Sequence, residues 1–444
     1  MARPETGRGG ANCWLTPRAL VFLSLPLAHL YGPAETGGGR VPDHLDSRTS
    51  WTRLAISVLI ATVGNVGMWA VVVVLPAVQA EFQVERADAS IPYTLTMVGF
   101  AVGNLLMGRY VDRFGIALPL AAANLANGVG FIVAGLSGNI WLFALAQGLL
   151  IGLGTAVNFG PLLADISHWF WKRRGLAVAA AASGNYLAGA IWPPLMQPFL
   201  DGWGWRWTYI AIGLFVIVTV VPLSFLLRRR LPTHGLSGVV AGSPPLKPTA
   251  LSPGMLQALL VVAGFGCCMA MAMPQVHIVA YCVDLGYGVA RGAEMLSIML
   301  AGGIVSRLAS GWLADRIGGI PTLLIGSVGQ GLSLLFYIPF DGLASLYVVS
   351  LVFGLAQGGI VPCYAIIVRE YLPAAEAGRR TGLVIMATII GMAVGGWMSG
   401  WIYDQTGSYQ AAFLNGIAWN LVNIAAVALV LLRTGRPRVA PAAA

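Results

Sequence analysis

From Leu54 to the end of the chain, apolar runs recur roughly every 30 residues, each long enough to cross a bilayer, which takes about 20 residues. Few folds satisfy that pattern. In hydrocarbon every backbone N–H and C=O must be bonded within its own segment, so such runs are helices. The expected spans are 54–80, 91–108, 116–136, 140–164, 175–200 and 207–227, then 254–283, 292–313, 319–338, 343–368, 380–403 and 409–432. The fold class is therefore an all-α membrane protein with twelve transmembrane helices. Composition agrees: 57% of residues are hydrophobic and 10% charged, against about a quarter charged in a soluble domain.

The organisation follows from the same runs. Residues 1–50 are rich in Gly, Pro and Arg, and their single apolar run, Ala19 to Leu30, is too short to span. They read as a disordered extension or as sequence upstream of the true start. Residues 51–227 and 253–433 form two bundles of six helices each, 228–252 a polar linker and 434–444 a tail. Lys and Arg collect on one set of loops: Arg109 and Arg113, Lys172 to Arg174, Arg228 to Arg230 with Lys247, Arg316, Arg369, Arg379 and Arg380, and the tail. The other loops carry only Arg86, Arg206 and Arg291 beside eight carboxylates, Asp284 and Asp404 among them. The positive-inside rule then puts both termini and the linker in the cytoplasm of a cell with the chain in its inner (plasma) membrane. A net charge of +9 distributed this way does not make a nucleic-acid surface. The five cysteines, four of them in or beside apolar segments, read as small buried residues and not as a disulfide or metal framework. No Gly-x-x-x-x-Gly-Lys-Ser/Thr loop occurs, so ATP is not expected as the energy source, and no cofactor is expected either.

The halves repeat. Gly108, Asp112, Arg113 and Gly115 follow the second span, and Gly311, Asp315, Arg316 and Gly318 follow the eighth; both read Gly-x-x-x-Asp-Arg-x-Gly, 203 residues apart. Asp201 to Gly204 and Asp404 to Gly407 repeat at the same offset. With this doubled loop motif the chain resembles the major facilitator superfamily over residues 51–433. The resemblance implies two pseudo-symmetric six-helix bundles, with the motif acting as a gate that latches one side. The stretches His168 to Ala177 and Met273 to Tyr281, the latter followed by Asp284-Leu-Gly286, look like the bacterial branch of the monocarboxylate porter family.

Charge inside a span is costly and marks function. Arg307 is the case here: it lies eight residues before Asp315, or about 12 Å along a helix. No Asp or Glu is expected at its depth, so a substrate carboxylate held by the planar guanidinium is one partner; backbone carbonyls or water are the other. In the family that this chain resembles, an Arg at this place binds the carboxylate. At the repeat offset Arg307 corresponds to Asn104, so a charge stands in one half and an amide in the other. Asn158 and Tyr364, His277 and Asn65 are further candidate substrate-binding groups, each with interhelical bonding as its alternative, and His277 is also a candidate proton carrier. Asp165 and His168 read as gate or loop residues. The Lys of the first span and the Asp one turn before the Arg, found in mammalian members, have no counterparts here; Gly303 stands at the latter position.

The expected function is secondary active transport, by alternating access, of small organic anions, monocarboxylates first, coupled to protons. The partners are that anion, protons and the lipid bilayer, with no nucleic acid, no ATP, no metal and no enzymatic reaction. Efflux of hydrophobic or cationic compounds, which favours an embedded carboxylate, and a non-transporting sensor on the same fold are the alternatives.

Overall fold

The computed structural model describes residues 45–229 and 246–434, apart from 171–172 and 374–375. The expectations for the extension, for much of the linker, for the tail and for the Asp112 side chain lie outside the described residues. What is described is helical. The first span is Arg48–Gly64 and Val66–Phe82, broken at Asn65. The second is Arg86–Phe114 and the third Ala117–Gly135. The fourth runs from Ile140–Ala146 through a wide turn at Gln147–Gly152 to Leu153–Ala156, breaks, and resumes as Gly160–Trp169. Later spans are Pro253–Asp284, Gly288–Ile317, Gly319–Phe336, Leu343–Gln357 with Ile360–Tyr371, Ala377–Thr406 and Tyr409–Arg433.

Eleven helical stretches are long and apolar enough to cross a membrane, and one of them, Gly175–Leu226, has 52 residues. At 1.5 Å per residue that is roughly 80 Å, more than twice the hydrocarbon thickness. Gly204, at φ 74° and ψ 170°, divides it into the fifth and sixth spans, which makes twelve.

The repeat is visible in backbone geometry. Gly115 and Gly318, the last residues of the two loop motifs, end the second and eighth helices at φ 77° and 90°. Gly204 and Gly407, the last residues of the other repeated turn, have φ 74° and 66°. Only glycine enters that region without strain, so these four positions fix where the helices turn. Side-chain caps set other starts: Asn139 accepts from the Leu142 N–H at 2.9 Å, and Ser252, ahead of Pro253, from Met255 at 3.2 Å.

Outward faces are apolar. Val218 is 70% exposed, Leu432 66% and Leu149 61%, which suits lipid and not water. Exposed tryptophans stand near the span ends, Trp51 and Trp312 at the end bearing the loop motifs, Trp141, Trp203 and Trp207 at the other, as in an interfacial belt.

Between the halves, the second span packs on the eleventh and the fifth on the eighth. At the end away from the motifs the fit is close. Thr94 donates to the Ala393 carbonyl at 3.0 Å, Ser297 bonds the Ala190 carbonyl, and a Cβ at Gly400 would lie 2.8 Å from the Arg86 carbonyl oxygen. Toward the motif end a Cβ at Gly108, Gly175, Gly311, Gly378 or Gly382 would meet no described atom within 4 Å. The described motif side chains Arg113, Asp315 and Arg316 are exposed there.

Within each half, a glycine contact recurs. A Cβ at Gly99 would lie 2.0 Å from the Gly148 carbonyl oxygen, between spans two and four, and one at Gly354 2.0 Å from that of Met299, between spans eight and ten. Gly354→Ala is therefore expected to overpack a rigid backbone contact and destabilise the fold by about 1–3 kcal/mol. Gly378→Ala, which faces open space, is expected to be neutral or stabilising by up to about 1 kcal/mol. Apparent melting temperatures in detergent check this; equal values for the two variants contradict the packing.

Candidate functional site

Arg307 sits in the middle of the eighth span, where the two halves meet. Its Nη1 donates to the Ala182 carbonyl of the fifth span at 3.0 Å, and its Nε points at the Gly358 carbonyl of the tenth at 3.4 Å. The guanidinium lies over the Tyr186 ring, 4.2 Å from its centroid, a favourable cation–π position. Among the described residues no carboxylate pairs with it, and the Tyr186 side chain is its remaining polar neighbour. Backbone carbonyls thus take up part of its donor capacity, while its charge has no protein counterion within reach.

The small residues near Arg307 serve the tenth span first. A Cβ at Gly358 would lie 2.1 Å from the Gly303 carbonyl oxygen, and one at Gly359 would strike the Ser310 hydroxyl. This approach needs the break in the tenth helix after Gln357. It leaves Gln357 fully buried, its Oε1 accepting from Gln275 at 2.9 Å and its Nε2 without a partner. A methyl group at Gly303 would lie 3.5 Å from the Tyr186 ring and 3.7 Å from that Nε2. Arg307, Tyr186 and the free donor of Gln357 thus converge from spans eight, five and ten.

The other candidates are placed differently. Asn158 pairs reciprocally with Asn124 of the third span at 2.9 and 3.0 Å, against Gly64. Asn65, at the break of the first span, donates to Ala61 at 2.6 Å, and its buried Oδ1 has no partner. Tyr364 is bonded within its own half to Asn423 at 3.4 Å. His277 lies away from Arg307, between Tyr409 Oη at 3.1 Å and the Gly396 carbonyl at 2.8 Å. Of the five candidates, Arg307 alone bonds across the interface between the halves.

Three features were not read from the sequence. Tyr186 and Gln357 are one, although a Gln followed by Gly358-Gly359 inside an apolar run signals a broken helix with a buried amide. The second is Arg53, which lies inside the first helix and not before it. It binds Asp165 in two-pronged fashion at 2.8 and 2.9 Å, donates to the Leu227 carbonyl at 2.9 Å and stacks on Trp169, so Arg53 ties spans one, four and six together. The third is a cluster at the end away from the motifs. Arg86 meets Asp284 at 3.2 and 3.3 Å and Tyr409 Oη at 2.6 Å. The Asp404 carboxylate caps the second helix by accepting from the N–H groups of Arg86 and Ala87 at 2.9 and 2.7 Å. Arg86 and Asp404 occupy different loops in the sequence; only folding joins them.

A family model described as the Major Facilitator Superfamily matches residues 57–349 and 295–444. Monocarboxylate transporter 13 of Bos taurus is 28% identical over 334 residues, 73% of this chain and 75% of that protein. Monocarboxylate transporter 11 of Mus musculus is 27% identical over 360 residues, 77% of this chain and 78% of that protein. The MFS-type transporter pynF of Aspergillus niger is 26% identical over 343 residues, 76% of this chain and 77% of that protein. Among solved structures, a bacterial homolog to the human lysosomal transporter Spinster, inward-facing and occupied, superposes with a TM-score of 0.70 over 89% of this chain and all of that one. At 12% identity this is a likeness of fold.

The Asn124–Asn158 pair distinguishes a structural from a ligand-binding amide. Removing one partner leaves the other buried and unpaired, a cost of about 1–3 kcal/mol. Asn124→Ala and Asn158→Ala are expected to lower the apparent melting temperature alike. Loss of ligand binding at unchanged stability in Asn158→Ala alone would assign it to the ligand.

Proposed function

The chain belongs to the major facilitator superfamily, and on that footing we propose that it is a proton-coupled secondary transporter of small organic anions, monocarboxylates above all, with Arg307 binding the substrate carboxylate. The observation that carries this is the lone guanidinium at mid-span, at the junction of the halves, without a carboxylate partner among the described residues. A bound carboxylate supplies the missing charge and takes the Nη2 donor in the two-pronged arrangement that a guanidinium favours. Gln357 Nε2 offers a second, neutral donor beside it. Asn158, Tyr364, His277 and Asn65 then support the helices around the site and need not touch the substrate.

The similarity to proteins named monocarboxylate transporters supports the anion reading. In the efflux alternative a cationic cargo gains nothing from Arg307. In this proposal the motif end is cytoplasmic, from the Lys/Arg bias, and the residues of the two loop motifs, Gly108 to Gly115 and Gly311 to Gly318, close that end in the alternate state. With the other end closed around Arg86, this reading makes the conformation inward-facing, so that a substrate at Arg307 exchanges with the cytoplasm.

In proteoliposomes, a panel of labelled short monocarboxylates is expected to accumulate when the outside is acid. Arg307→Ala is expected to lose about 2–5 kcal/mol of substrate binding and with it transport, while still inserting and purifying. Arg307→Lys is expected to be poor. Replacing the carboxylate of a good substrate with its amide is expected to weaken binding to wild type strongly and to Arg307→Ala little. Additive effects in that cycle would make Arg307 structural.

Sidedness has its own test. A cysteine at position 240 in the linker is expected to resist a membrane-impermeant thiol reagent applied to intact cells. Labelling from outside inverts the topology.

A further inference from the structure

The cluster that closes the end away from the motifs contains an imidazole whose protonation state is dictated by its bonds. Tyr409 Oη accepts from Arg86 Nη1 at 2.6 Å, and a guanidinium only donates. Among the described partners of that hydroxyl, the sole acceptor left for its own proton is His277 Nδ1, at 3.1 Å. On the other side of the ring, Nε2 faces the Gly396 carbonyl oxygen at 2.8 Å, which only accepts, so Nε2 carries the ring's hydrogen. The closed cluster therefore holds His277 neutral, protonated on Nε2 alone.

A proton added at Nδ1 works against this arrangement. The tyrosine O–H loses its acceptor, and an imidazolium then stands one hydroxyl away from the Arg86 guanidinium. That guanidinium helps to join the halves here, beside the Asp404 cap, through Asp284 at the end of the seventh span and Tyr409 at the start of the twelfth. It is braced by the Tyr403 ring, 4.6 Å from its carbon.

We propose that His277 is the proton-binding residue that couples protonation to this gate: the closed end requires neutral His277, and protonation opens it. The proposal deepens the reading of the chain as a proton-coupled transporter and rests on it. In a cycle loaded from an acid exterior, His277 takes its proton with the outer end open. Closing the Arg86–Asp284–Tyr409 cluster requires that proton to leave Nδ1 again.

The charged and titratable groups facing His277 are few. The second span presents Arg86 and Tyr93, the eleventh Tyr403 and Asp404, and the twelfth Tyr409; on its own helix stand Tyr281 and Asp284. Asp284 and Asp404 are the other groups on which acid can act, so the test has to separate them from the imidazole.

Spin labels at Glu85→Cys and Gln405→Cys, both exposed and flanking Arg86 and Asp404 on opposite halves, report the gate in the full chain in lipid nanodiscs. Cys13 is replaced by Ser; the four described native cysteines are buried. Distances are read by electron–electron resonance from about pH 8 to about pH 5, the range in which a histidine titrates. The expected result is one short distance at the alkaline end and a growing long-distance population in acid, the open-to-closed ratio rising by up to about tenfold per pH unit for one linked proton. His277→Gln, whose amide can still donate to Gly396 and accept from Tyr409, is expected to hold the short distance at every pH. Tyr409→Phe, which removes the hydroxyl between His277 and Arg86, is expected to lose the pH response as well, and it serves if the Gln variant does not fold. A wild-type distance indifferent to pH, or a response undiminished in His277→Gln or in Tyr409→Phe, overturns the proposal. No substrate is present, so the result does not depend on whether Arg307 binds a carboxylate, and the Arg307 cycle does not depend on His277.

Discussion

Polar groups inside a helical bundle in hydrocarbon must find their partners within the protein, because no water is at hand to supply them. That constraint organises most of the structure. Asn124 and Asn158 bond each other, Asn127 bonds the Gly64 carbonyl, Gln147 bonds Tyr209, and Asn420 and Asn423 bond Ser327. Charges stand near the span ends, several of them in pairs: Arg53 with Asp165, Arg86 with Asp284, Lys247 with Glu370. Asn65 Oδ1 and Gln357 Nε2 depart from the rule as neutral groups, and Arg307 departs from it as a charge: its hydrogen-bonding capacity is partly met by carbonyls, its charge by no described residue. The energetic cost of that arrangement is what makes it a candidate for binding an anion.

The internal repeat shows which requirements are architectural. Positive-φ glycines recur at the same offset because each half needs the same helix ends and the same turn. Asn104 and Arg307 both reach the break in the neighbouring span, Asn104 accepting from the Gly160 N–H at 3.2 Å and Arg307 pointing at the Gly358 carbonyl. The amide performs that contact without a charge. The guanidinium therefore adds something to the second half that its scaffold does not need.

The two ends of the interface differ in kind. One is held by a compact set of ionic and aromatic contacts around Arg86, which bonds Asp284 and Tyr409, is braced by Tyr403 and is capped through its N–H by Asp404. At the other, glycines on the paired helices face open space and the motif side chains are exposed. Arg86 is the shared donor of that set, so its ionic contacts depend on one another.

The sequence determined the helices, their number, the repeat and the mid-span position of Arg307, because hydrophobic run length, turn glycines and charge placement are local properties that survive in one dimension. It marked Asp165 as a residue of the gate or loop region but not its partner Arg53. It singled out Asn158, Tyr364, Asn65 and His277 as polar groups in apolar runs, yet polarity alone does not tell a ligand contact from a bond to the next helix. Only the tertiary structure decided that Tyr186 and Gln357 share the surroundings of Arg307, and that His277 faces Tyr409 and Arg86. Those neighbours lie on different spans, tens to hundreds of residues apart, and which faces meet is set by close helix packing at small residues. That packing depends on the rotation of each helix about its axis, which no run length or spacing records.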